Sequence, residues 1–186
     1  MSKACTRSPA EHSRSLPHLG LGLSLAIAIS LGACAGVRGV MVPVSGSVPG
    51  TSTVDMLVAT TRERTNPAEM FSGDRGPALA FANITVSIPP DQVRQVGEVQ
   101  WPRQVPGNPA TDFVTLKADV VDRDQALAWF HRTVRTIPKR QVLVFIHGFN
   151  NRFEDAVYRF AQIVHDSGAP VVPILFTWPS RGSVLA

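Results

Sequence analysis

The chain has 186 residues, 44% of them hydrophobic and 17% charged, with a formal net charge of +4; that suits one domain with a real core plus additional segments. Lys3, Arg7 and Arg14 against Glu11 put +2 of the charge in the first 33 residues, so the rest carries only +2 and has no Lys/Arg cluster interleaved with aromatics, which argues against nucleic acid as a partner. The two cysteines, Cys5 and Cys34, both lie near the N-terminus and the histidines are scattered, so neither a disulfide framework nor a metal site is expected, and no cofactor motif is present.

In chain order, Lys3, Arg7 and Arg14 make a basic start, and residues 19–31 (LGLGLSLAIAISL) form a short uncharged apolar run. Its length is that of a signal-peptide core and falls short of a comfortable membrane span. Leu31-Gly32-Ala33-Cys34 follows and resembles the lipobox of bacterial lipoproteins. The resemblance implies a leader over 1–33, lipidation of Cys34 and a membrane as partner. Ala35 after the cysteine resembles the pattern destined for the outer membrane, so the expected location is its periplasmic face. Ordinary cleavage and secretion is the alternative. Residues 34–53 are rich in Gly, Pro, Ser and Val and read as a flexible tether.

The folded part is expected over 54–186. Residues 54–60 (VDMLVAT) read as a first strand, and the polar, Gly/Pro-rich stretch 61–77 as loop. Residues 79–88 alternate and stop at Pro89-Pro90, a second strand; 96–101 is a short third candidate, and 113–121 (FVTLKADVV) another strand. Asp122 changes the period. Leu127, Phe130, Val134 and Ile137 then fall at spacings of three and four, which predicts a helix over 123–136 with Asp122 or Asp124 as its cap and Pro138 beyond its end. His131 on this helix reads as a solvated or half-buried side chain.

Residues 142–146 (VLVFI) are an unbroken apolar run rich in β-branched residues, which predicts a strand buried on both faces in the middle of a parallel sheet. His147-Gly148 ends it, and Asn150-Asn151 turns the chain into a helix. Asn151, with Glu154 three residues on, is the expected cap. Phe153, Ala156, Val157, Phe160, Ala161 and Val164 form one apolar stripe, Gly168 stops the helix, and 171–176 (VVPILF) is a further buried strand. Strand, helix and strand make a βαβ unit. A buried strand, a sharp turn and a helix start bring backbone N–H groups to face a ligand.

HGFNN after the buried strand, a helix ending DSG, and LFTWPSRGS together resemble the α/β-hydrolase superfamily, and more closely its bacterial DUF900-like branch. VATTRER and VSIPP resemble the same branch, so the likeness runs over about 54–186. It implies an α/β fold: a mixed, mainly parallel sheet with flanking helices. It also implies the residue roles. Phe149 would supply a backbone N–H to an oxyanion hole, with His147 and Gly148 shaping that loop and Gly148 letting the backbone turn and approach the substrate. Asn150 and Trp178 would line the substrate pocket, although a loop anchored by a half-buried Trp178 is an equal reading. The substrate implied is a small ester or other acyl compound.

The chain departs from that family in one respect. No G-x-S-x-G nucleophile elbow occurs, and the elbow, acid and base histidine would come after Ala186. Ser180 and Ser183 lack the strand–elbow–helix context, and His165 precedes any expected base. The sequence therefore reads as the N-terminal portion of an α/β hydrolase, truncated before the nucleophile strand and inactive as it stands. Two functions remain open. One is a lipid-anchored serine hydrolase whose longer relative carries the activity. The other is a non-catalytic envelope lipoprotein that uses the fold as a binding or scaffold module.

Overall fold

A computed structural model describes residues 37–46 and 48–182 of the chain. The expected leader over 1–33 and the lipidation site Cys34 lie outside the described residues, as does Ser183.

Among the described residues the architecture is a five-stranded mixed sheet with one helix on each face. The strands are β1 (Ser52–Arg64), β2 (Phe71–Ile88), β3 (Val114–Val121), β4 (Val142–Ile146) and β5 (Val172–Thr177). Helix α1 (Arg123–Thr136) precedes β4, and helix α2 (Phe153–Ser167) joins β4 to β5. The sheet order is β3-β2-β1-β5-β4. β1 pairs antiparallel with β2, β2 antiparallel with β3, and β5 runs parallel to both β1 and β4. The expected mixed, mainly parallel sheet is present: the lead-in meander β1-β2-β3 is antiparallel, β5 and β4 are added parallel to β1, and only β2 runs against the other four strands. The expected βαβ unit is present, with β4 and β5 in register from Val142↔Val172 to Ile146↔Phe176.

The stretch 61–77 is not the loop its composition predicts. β1 continues through Arg64 and β2 begins at Phe71, leaving a short tip. The tip is closed by Asn66, whose side-chain oxygen accepts the N–H groups of Ala68 and Glu69. Polar composition misleads here because much of this end of the hairpin is exposed and has no core face to pattern. Register shifts flank Arg62 in this pairing, and β2 comes so close that a Cβ on Gly76 would lie 2.7 Å from the Arg62 carbonyl oxygen. The candidate strand at 96–101 does not form. That segment is a loop pinned to α2, with Arg94 ion-paired to Asp91 and Asp166, and the Gly97 N–H donating to Asp166.

Helix α1 has the predicted bounds. Asp122 accepts the Gln125 N–H, and the Gln125 side chain accepts the Asp122 N–H, a reciprocal cap. Its inward face is rotated from the expected stripe. Ala126 and Trp129 are buried and Phe130, Val134 and Ile137 pack beside them, while Leu127 is exposed. The Trp129 indole N–H donates to Asp55 of β1, which draws the helix toward that side. Helix α2 buries the predicted stripe of Phe153, Ala156, Val157, Phe160 and Ala161 against the other face, with Val164 partly buried. Its cap falls one residue later than expected: the Arg152 N–H donates to Asp155 instead of Asn151 pairing with Glu154. Gly168 ends the helix at φ 59°.

Two further expectations are corrected. Part of the proposed tether is packed, since Val40 and Met41 are buried and Thr115 and Tyr158 both donate to the Val40 carbonyl. An apolar pair inside a Gly/Pro/Ser-rich stretch is a docking segment when a hydrogen-bonding surface awaits it. Secondly, among the described residues β4 is an edge strand. Leu143 and Phe145 pack under α2, Phe145 stacking on Phe160 at 5.4 Å, but Val142, Val144 and Ile146 are 41%, 55% and 61% exposed. Helix α1 lies over β1, β2 and β5, so that face of β4 is uncovered. Among the described residues no helix is long and apolar enough to cross a membrane.

Candidate functional site

Because β1, β4 and β5 are parallel, their carboxyl ends lie along one edge of the sheet, the edge where such sheets present ligand-binding loops. The turn after β4, residues 147–151, stands there. His147 is 3% exposed, whereas Phe149 is 66% exposed. Asn150 adopts the left-handed region at φ 65°. Gly148 does not, and a Cβ added to it would meet nothing within 4 Å. The left-handed residue of the turn is Asn150, and the space in front of Gly148 is open. Among the described residues the Phe149 N–H has no acceptor.

Both ends of the turn are tied down. Asn151 donates from its side-chain amide to the Gly148 and Phe149 carbonyls, at 3.1 and 3.0 Å. Its backbone N–H donates to the Ser180 hydroxyl at 3.0 Å. Trp178, in the loop after β5, stacks on the His147 ring with centroids 5.2 Å apart, and its indole N–H donates to the His147 carbonyl at 3.0 Å. Of the two readings of Trp178, the structure supplies the anchoring contacts directly.

His147 is held in one protonation state. The Trp178 backbone N–H donates to Nε2 at 3.3 Å, and the Arg62 guanidinium approaches the same nitrogen at 3.3 Å. Both neighbours can only donate, so Nε2 is the acceptor and Nδ1 carries the hydrogen, which it donates to the Gly148 carbonyl at 2.6 Å. Burial, and next the charge of Arg62, hold the imidazole pKa below its ordinary value, while the Gly148 carbonyl and Asp155 work against that shift. A neutral ring whose lone pair is already engaged is a scaffold for the turn.

Arg62 is the residue that sequence reasoning missed. It is 1% exposed, and its Nη1 donates to the carbonyls of Ser72 and Ser180 at 3.1 and 2.7 Å. Its Nη2 donates to the Asn151 carbonyl at 2.8 Å and faces His147. Among the described residues its Nε finds no partner. Desolvation lowers its pKa to about 10, against the pull of Glu154 and Asp155, so it remains charged at neutral pH. A signal was present in the sequence: Met56, Val58, Thr60 and Arg62 continue a single period-two face, and all four are buried. Polar neighbours at Thr61, Glu63 and Arg64 hid that continuation.

A cavity of about 200 Å³ opens beside Arg62, lined in part by Phe71, Phe153, Glu154, Ser180 and Arg181. Trp178 and Asn150 are not in its wall. Ser180 contributes its carbonyl to Arg62 and its hydroxyl to the turn, and no histidine nitrogen among the described residues is hydrogen-bonded to it. His165 lies apart, against Asp91. Among the described residues no group of three or more His, Cys, Asp or Glu side chains could hold a metal ion.

The model of a family described as alpha/beta hydrolase of unknown function (DUF900) matches residues 122–186. The match takes in α1, β4, the 147–151 turn, α2 and β5, and stops short of the lead-in strands β1 to β3. The mixed five-stranded sheet with its two helices is consistent with a partial α/β-hydrolase fold. No curated protein and no solved structure matches the chain.

Proposed function

We propose that this chain carries the oxyanion-stabilising end of an acyl hydrolase of the α/β type, acting on small esters or related acyl compounds. The observation that carries the reading is the Phe149 N–H, without an acceptor among the described residues, on an exposed turn whose two ends are held by the His147 ring and Asn151. Such a donor needs no reorganisation when negative charge develops on a tetrahedral intermediate, and one of this kind contributes about 2.7–4 kcal/mol. The family match over the same turn supports the reading. In this scheme Phe149 donates, Gly148 leaves room for the acyl group, His147 shapes the loop, and Asn150 and Trp178 border the substrate.

The nucleophile is the missing partner, since no G-x-S-x-G occurs in the 186 residues. The chain as given should therefore show no turnover of activated esters above background and no labelling by a fluorophosphonate serine probe. The decisive form is a protein in which the reading frame beyond codon 186 continues through a G-x-S-x-G elbow. There Phe149→Pro, which deletes the N–H, should lower kcat by about 10²–10³. An ester rate untouched by Phe149→Pro overturns the assignment. A natural stop codon after residue 186, with stable expression at this length, would favour the binding-module reading instead.

We further propose that the protein is lipid-anchored through Cys34 at the periplasmic face of the outer membrane. The apolar run 19–31 ending in Leu31-Gly32-Ala33-Cys34 supports this. Metabolic labelling with a fatty-acid analogue in a bacterial host tests it: Cys34→Ser should abolish incorporation, and unchanged incorporation would refute the anchor.

A further inference from the structure

We infer that Arg62 is the positioning residue of the oxyanion turn: its guanidinium joins the three chain segments around the turn and enforces the Nδ1–H tautomer of His147. The inference rests on the proposed role of Phe149 for its functional meaning, but its geometry is independent of that role.

Each Nη of an arginine has two hydrogens. Those of Nη1 reach the Ser72 carbonyl in β2 and the Ser180 carbonyl in the loop after β5. Those of Nη2 reach the Asn151 carbonyl at the end of the turn and Nε2 of His147 at its start. One planar group thus binds β2, the β5 loop and both ends of the turn. Lysine has three donors on a rotating tip and cannot span the same acceptors in fixed directions. Both Nη groups are fully engaged by the protein itself. Arg62 acts through His147 and Asn151 on the position of Phe149.

The same guanidinium sets the tautomer. With Arg62 and the Trp178 N–H both presented to Nε2, a hydrogen on that nitrogen would oppose two donors. Nδ1–H is then left to grip the Gly148 carbonyl and point the following peptide. That peptide contains the Phe149 N–H. The charged groups that act on the ring are Arg62, from β1, and Asp155, from α2. Arg62 opposes protonation and Asp155 favours it, and burial decides the outcome.

The test is NMR of the full chain labelled with ¹⁵N, with no substrate present. The His147 ring is assigned by its loss in His147→Gln. The native chain should show a single Nδ1–H tautomer that titrates below about 6.5, the ordinary histidine value. In Arg62→Met and in Arg62→Lys the tautomer should become mixed, and in Arg62→Met, which removes the charge, the titration should move upward. The Phe149 and Asn151 amide resonances should shift, and exchange of the Asn151 N–H should speed up by roughly tenfold or more. A destabilising change elsewhere in the sheet, Phe145→Ala, should leave these signals in place, which separates positioning from general loss of stability. A folded Arg62→Met with unchanged tautomer and unchanged Phe149 amide overturns the inference. If neither Arg62 variant folds, the native titration decides: Nε2–H, or titration at the ordinary value, overturns it. Failure of the oxyanion reading would appear only in the Phe149→Pro ester rates, so the two failures are distinguishable.

Discussion

Successive residues of β4 provide the sharpest test of the architecture. Val144 and Phe145 lie side by side in an apolar run, and by sequence both belong to a core. In the fold they point to opposite faces. The Phe145 ring stacks on Phe160 of α2, with planes 8° apart. Val144 faces the side that α1 leaves uncovered and is 55% exposed. Truncating a fully buried phenylalanine to alanine costs about 3–5 kcal/mol, transfer and cavity terms together. Phe145 is only partly buried, so about 2–3 kcal/mol is expected for Phe145→Ala. Val144→Ala removes two carbons from a half-wet site, about one buried methylene equivalent, so at about 0.8 kcal/mol per buried CH₂ the loss should be ~0.8 kcal/mol. Urea denaturation followed by tryptophan fluorescence, at low protein concentration, measures both. The ordering should be clear, since the difference exceeds the usual extrapolation error. Losses equal within about 0.5 kcal/mol, or a larger loss at Val144, would refute the placement of β4 and mean that something covers its second face.

Four other outcomes follow from the same geometry. An edge strand of five apolar residues with no charge, proline or bulge is a template for strand pairing, so Val144→Lys should reduce self-association in sedimentation velocity with little change in unfolding midpoint. Gly148→Ala should leave stability within about 0.5 kcal/mol of the parent, because no left-handed φ and no steric neighbour is involved; a large loss would show that the turn differs from the one described. Tyr158→Phe removes a buried donor to the Val40 carbonyl, which Thr115 still serves, so a loss of about 1 kcal/mol is expected by denaturation. For His147 the folded pKa lies below the unfolded one, so the unfolded chain binds the extra proton first and stability falls as pH drops below about 6.5. That slope should flatten in His147→Gln, and an unchanged slope would show that His147 is not the group responsible.

Much of the parallel half is legible in the sequence alone. Helix α1 starts at one of the two expected caps, Asp122, and stops before Pro138 as its sequence predicts. The stripe from Phe153 to Ala161 is the face that α2 buries, and Gly168 ends it in the left-handed conformation. β4, β5 and the turn between β4 and α2 are all readable from apolar runs and breakers. These features are local. A cap reaches three residues, a helical stripe repeats every three or four, and a strand needs only a few β-branched positions, so each is written within a short window of chain.

The tertiary structure decided the matters that depend on distant segments meeting. Arg62 reads as one of several arginines in a polar stretch. Its burial arises because Ser72, Asn151 and Ser180, 10, 89 and 118 residues away, turn carbonyl oxygens toward one point. Val40 and Met41 read as tether until Thr115 and Tyr158 offer donors to the backbone beside them. β4 reads as central because its side chains are apolar on both faces, yet strand order is set by which segments pair, and here β5 takes the inner position against β1. Periodicity tells a residue which of its neighbours share a face. It carries no information about what will stand opposite that face, because burial and charge compensation are properties of pairs, and the second member of each pair comes from another part of the chain.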